Sequence, residues 1–101
     1  MWLLVMFDLP VGNPDERKAA ANFRKALLQD GFNMMQFSVY ARDCPTKENL
    51  QVHKDRVLSF LPPSGSVSMM QVTDKQFSSM ITVVGQKRKK PQDRQQMLKF
   101  Y

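Results

Sequence analysis

An α+β domain, with an antiparallel sheet and two helices packed on one of its faces, is what this sequence predicts. Three observations carry the prediction. The chain opens on an unbroken apolar run, Trp2-Leu3-Leu4-Val5-Met6-Phe7, which reads as a strand buried on both faces. Two helix-like segments follow, one introduced by Asn13 and the other by Thr46, both side chains that cap helix starts. Strand-like stretches lie between and after them. The order strand, helix, one or two strands, helix, strand, strand is the split βαβ, or ferredoxin-like, arrangement. Its second sheet face needs a cover, and pairing two copies into a homodimer is the simplest one.

The first strand ends on Asp8, and Pro10 stops it because proline has no N–H to give to a ladder. Ionised carboxylates rarely sit beside a core unless they are paired, hydrogen-bonded or bound to metal. Asp8 is thus a candidate metal ligand on a rigid mount, with a turn-capping aspartate as the alternative.

Asn13-Pro14-Asp15-Glu16 combines an N-cap, a proline at the first helical position and acids in the first turn, with Glu16 placed for a capping box. The helix is expected to run to about Asp30, where Gly31 closes it in a left-handed cap. Its apolar stripe is Ala20, Phe23 and Leu27, flanked by Ala19 and Ala26. Arg17, Lys18, Arg24 and Lys25 form two pairs spaced by seven, which clusters them away from that stripe. Such a cluster is either a solvated face or a phosphate-binding ridge.

Between Asn33 and Arg42, Phe37, Val39 and Ala41 alternate with Gln36, Ser38, Tyr40 and Arg42, and Gln36 marks a kink that would split the segment into two short strands. Asp43-Cys44-Pro45 is a turn. Thr46 caps a second helix that turns Leu50, Val57 and Leu61 inward and stops at Pro62-Pro63. His53, beside that stripe, reads as a flank or core residue and not as a ligand. Ser66 to Thr73 and Phe77 to Val84 are expected strands, joined by a tight hairpin at Asp74-Lys75-Gln76. The domain spans residues 1–85, and residues 86–101 form a tail.

A chain of 101 residues makes one domain with a modest core, which an oligomer would help to stabilise. No apolar stretch reaches the ~18 residues that cross a membrane, and the opening run lacks the flanks of a signal peptide. Cys44 is the only cysteine, so no intrachain disulfide forms, which suits a reducing cytoplasm. Nucleotide-binding glycine loops, zinc patterns and hydrolase elbows are absent. The charge is uneven. Residues 1–84 carry nine Lys and Arg against eight Asp and Glu, whereas residues 85–101 carry six against one. That basic tail, with Lys87, Arg88, Lys89 and Lys90, is a solvated terminus or a contact for a polyanion or acidic protein surface. Its apolar end, through Phe100 and Tyr101, is expected to dock on this chain's own sheet edge or on a partner.

Three segments together resemble one family. They are Leu3-Leu4-Val5-Met6-Phe7-Asp8-Leu9-Pro10; Glu16-Arg17-Lys18 with Phe23-Arg24-Lys25 and Leu27; and Asp30-Gly31-Phe32 with Gln36-Phe37-Ser38-Val39-Tyr40. The chain is similar over residues 2–84 to the small CRISPR-associated adaptation nucleases, the "Cas Two" family. The resemblance implies a ferredoxin-like homodimer in which Asp8 faces its twin and the pair holds Mg²⁺, or Mn²⁺, for phosphodiester cleavage. It also implies a scaffold that bridges the "Cas One" integrase and carries double-stranded DNA, with Arg17 and Lys18 on the backbone. Arg24 and Lys25 extend that ridge by helix geometry, and the tail fits an integrase contact. The competing expectations are a stand-alone toxin-type endoribonuclease and a non-catalytic interaction module on the same fold.

Overall fold

A computed structural model describes residues 1–85 with side chains and the backbone of Lys87 and Arg88. The elements are β1 (Trp2–Asp8), α1 (Pro14–Gln29), β2 (Asn33–Gln36), β3 (Val39–Asp43), α2 (Lys47–Ser59), β4 (Ser66–Val72), α3 (Asp74–Ser78), β5 (Val83–Val84) and β6 (Lys87–Arg88). The main sheet has the order β2-β3-β1-β4, with every neighbouring pair antiparallel. This is the ferredoxin-like topology, with β1 in the interior of the sheet.

Local chemistry explains the boundaries. Asn13 Oδ1 accepts the Glu16 N–H at 2.8 Å, and Glu16 Oε1 accepts the Gly12 N–H at 2.9 Å. The carboxylate therefore satisfies a donor one residue earlier than a capping box would. Gly31 takes φ +87°, and the N–H groups of Gly31 and Phe32 close the helix on Leu28 and Leu27. Thr46 caps α2 by accepting the Asn49 N–H. A register shift between Met34 and Gln36 separates β2 from β3, at the expected kink.

The alternation of β1 sends its residues to two different layers. Leu3, Val5 and Phe7 pack with Phe23 and Leu27 of α1, Leu50 and Val57 of α2, and Phe32, Tyr40 and Cys44. Leu4 lies on the other face with Met35 and Ala41, against Trp2, Val39, Val72, Phe77 and Met80. Both sheet faces thus bear apolar side chains, but helices α1 and α2 cover only one.

The structure corrects four readings. Asp74 to Gln76 is not a hairpin: Asp74–Ser78 is the short helix α3. Thr73 Oγ1 accepts the Gln76 N–H at 3.1 Å and Gln76 Oε1 accepts the Thr73 N–H at 2.9 Å, a full capping box. Phe77 consequently sits on a helix and stacks on Trp2, with ring centroids 3.9 Å apart and planes 7° apart. Of the expected Phe77–Val84 strand only Val83 and Val84 are extended, and they pair with Lys87 and Arg88 across Gly85, at φ +62°. Leu61 lies beyond the end of α2 and is exposed; His53 takes the buried place between Leu50 and Val57. Phe37 is exposed too, because it stands on the β2–β3 turn and not in either strand.

Candidate metal and nucleic-acid site at the end of β1

Asp8 closes an interior strand that is bonded on both sides. It pairs with Ser66 of β4, and the Phe7 N–H before it donates to the Ser38 carbonyl at 3.0 Å. The Phe7 ring is buried, set edge-on to Phe23 at 5.1 Å and tilted against Tyr40 at 5.7 Å. The backbone carrying the carboxylate is therefore fixed from the sheet and from the core. In the alternation of β1, Asp8 falls with Leu4 and Met6 on the face away from α1 and α2. α3 covers the Trp2 end of that face, the end opposite Asp8. Asp8 is exposed, and among the described residues none forms an ion pair with it.

Opposite Asp8, Gly65 leads into β4 at φ +91°, and a Cβ built on it would stand 2.6 Å from the Asp8 carbonyl oxygen and 2.9 Å from Leu9 Cδ2. Only glycine satisfies both the dihedral and that approach.

Arg17 and Lys18 lie exposed in the first turns of α1, which begins six residues after Asp8. They are at the Asp8 end of the sheet but in the helix layer. Arg17 Nη1 also donates to the Val11 carbonyl at 3.3 Å, bracing the loop between β1 and α1. Lys25 is exposed on the same helix. Arg24 departs from the expected ridge. It is half-buried, its guanidinium carbon lies 3.9 Å from the Phe37 ring centroid and 5.5 Å from that of Phe7, and its Nε donates to the Phe37 carbonyl at 3.3 Å. Position 24 flanks the apolar stripe, so its long side chain lies along aromatic surface. Lys87 and Arg88 fall on β6, described by its backbone, and Lys89, Lys90, Phe100 and Tyr101 lie outside the described residues.

Among the described residues, no group of three or more His, Cys, Asp or Glu side chains could hold a metal ion. Among the described residues, then, Asp8 is not joined by enough carboxylates to complete a metal site, and a divalent cation fits only if a second copy or a substrate phosphate adds oxygens. Cys44 is buried, and burial pushes its thiol above the ordinary range, which disfavours the thiolate. No helix among the described residues is long and apolar enough to cross a membrane.

Sequence reasoning missed a second cluster, on the helix side. Asp30 Oδ2 lies 2.8 Å from His53 Nδ1, and Asp30 Oδ1 accepts from Arg56 Nη1 at 3.0 Å. The Asp30 side chain is only 8% exposed and that of His53 5%. Burial alone would raise the Asp30 carboxyl, but the hydrogen bonds and charges of His53 and Arg56 outweigh it and hold the group below its ordinary range. The available signal was the carboxylate itself: an aspartate at a helix C-terminus opposes the macrodipole and needs donors from elsewhere.

Residues 1–80 match the family model described as CRISPR associated protein Cas2. The chain belongs to the Cas2 family. Curated Cas2 relatives agree. A protein of Flavobacterium psychrophilum named CRISPR-associated endoribonuclease Cas2 is 51% identical over 87 residues, covering 86% of this chain and 76% of the relative. One of the same name from Parvibaculum lavamentivorans is 50% identical over 88 residues, covering 87% of each. The crystal structure of Streptococcus pyogenes Cas2 at pH 6.5 superposes with a TM-score of 0.65 at 21% identity, covering 83% of this chain and all of that one. That likeness is one of fold, and it matches the Cas2 sheet and helices described above.

Proposed function

We propose that this Cas2 protein acts as a homodimer in CRISPR spacer acquisition, laying duplex DNA across its surface, holding the "Cas One" integrase, and cleaving phosphodiesters at a metal site built on Asp8. The observation that carries the reading is the place of Asp8: an exposed carboxylate on a rigid interior strand, at the uncovered end of an apolar sheet face. A second copy seated on that face would bring a second Asp8 beside the first. Two carboxylates with waters and phosphate oxygens make a sufficient ligand set for Mg²⁺ or Mn²⁺. A cation held there would supply an activated water and neutralise charge on the scissile phosphate. The chain's own residues do the rest. Asp8 provides the ligand oxygens, β1 fixes their position, and Arg17 and Lys18 hold the nucleic-acid backbone. Integrase binding is assigned to the basic tail, whose charge suits an acidic surface. Because relatives carry the name endoribonuclease, single-stranded RNA is the second substrate reading.

Two measurements test the assembly and the binding. Light scattering should give a dimer; a monomer independent of concentration would overturn the shared site. Duplex binding should fall with salt, and Arg17→Ala with Lys18→Ala should weaken it for any sequence. The log–log salt slope should drop by about 0.9 for every phosphate that the variant no longer neutralises. An unchanged slope would return both side chains to a solvated helix face.

A further inference from the structure

Phe37 is 68% exposed, the largest exposure among the big apolar side chains described. Single exposed hydrophobics are ordinary, but this one is held. Its carbonyl accepts from Arg24 Nε at 3.3 Å, and the Arg24 guanidinium lies against its ring with the carbon 3.9 Å from the centroid. Next to it, the Ser38 carbonyl is tied to the Phe7 N–H at 3.0 Å. The turn is therefore anchored to the residue that precedes Asp8. Arg24 is in turn backed by the Phe7 ring at 5.5 Å. With a guanidinium against one ring face, an exposure this large leaves the remaining ring surface to water. The result is a fixed aromatic plate carrying a positive charge, at the same sheet end as Asp8, Arg17 and Lys18. Because Phe37 stacks on a residue of α1, it belongs to the helix side, and a second copy on the opposite sheet face leaves it uncovered.

We infer that Phe37, backed by Arg24, is a base-stacking subsite for an unpaired nucleotide of the strand whose phosphates reach the Asp8 end. This rests on the nucleic-acid reading above and adds a ligand class to it. Paired bases inside a duplex offer no free π-face, whereas an unpaired base in single-stranded RNA or DNA does, and stacking on an aromatic ring tolerates every base. The guanidinium contributes charge to the same plate without requiring a particular base edge.

The test is binding of labelled 12-nucleotide single strands to the full chain, by fluorescence anisotropy over a salt series. The probes are RNA, DNA, a DNA duplex whose ends are closed by non-nucleotide linkers, and a strand of abasic sugar-phosphate units of equal length. Phe37→Ala should weaken the base-bearing single strands roughly tenfold, by the usual worth of one stacked base. It should leave the closed duplex, the abasic strand, the salt slope and the melting temperature unchanged. Phe37→Trp should restore the affinity. Loss for RNA but not DNA, or the reverse, supports the subsite and names its source. Equal loss on the abasic strand, or no loss with any single strand, overturns it while the salt slope of the parent chain still upholds the broader reading. A parent chain that binds none of the probes overturns both.

Discussion

Asp8→Asn is expected to remove metal-dependent phosphodiester cleavage, by at least about a hundredfold, and to leave fold and duplex binding in place. The magnitude follows from removing a ligand itself, since loss of an outer partner of a ligand already costs up to about a hundredfold. The amide keeps the size and the hydrogen-bonding capacity of the carboxylate but not the charge that attracts Mg²⁺. Stability should hold because Asp8 is exposed and makes no ion pair among the described residues. If two Asp8 carboxylates face one another across a dimer axis, they repel in the absence of metal, so the substitution should leave the dimer unchanged or slightly firmer. The measurement is cleavage of labelled duplex DNA and single-stranded RNA over Mg²⁺ and Mn²⁺ titrations, beside melts with and without metal. Full cleavage by the variant would make Asp8 a turn cap. A large drop in melting temperature would make it structural.

Asp30→Ala should cost about 2–3 kcal/mol of stability, because it strands the buried His53 nitrogen and cuts a charge-assisted bond between α1 and α2. Arg56 is the lesser part, being largely exposed. For a domain of this size the loss corresponds to roughly 10–20 °C in melting temperature. The sign of the acid dependence follows from the lowered folded-state carboxyl. Its contribution is complete above the ordinary value of 3.8 and is lost as pH falls through the folded-state value below that. The parent chain should therefore lose stability more steeply than the variant in strongly acidic solution, and the two melting curves should converge there. Parallel curves down to the acid limit would show that Asp30 is not ionised through these contacts.

The parts of the fold that could be read from sequence are those decided within a few residues. The apolar run of β1, the Asn13 and Thr46 caps, the glycine after α1 and the break at Gln36 each carry their own local reason. The misread segment fails by the same measure. Thr73-x-x-Gln76 is a capping box of four residues, but it lies between two stretches of strand-like composition, and a five-residue helix has too few turns to show a period. At the candidate site, the position of Asp8 at the end of β1 was legible because a carboxylate ending an apolar strand is anomalous in itself. Arg24 was not, since its partner Phe37 lies thirteen residues away on a turn. Asp30 was not, since His53 is twenty-three residues distant and on another helix. Contacts of that kind are created by packing and leave no trace in periodicity.

The close approach at Gly65 separates sensitivity to mutation from chemical role. The carboxylate end of β1 is shaped partly by a missing side chain on the connection into β4, at a residue that bears no charge. Under the proposed metal role, a map of tolerated substitutions would darken both position 65 and position 8, for unrelated reasons: Asp8 for the ligand oxygens it would supply, Gly65 for the room its absent atoms leave. Redesign of this corner therefore has freedom in the loop before Gly65 and none at Gly65, and any graft of the Asp8 segment onto another scaffold has to bring that glycine with it.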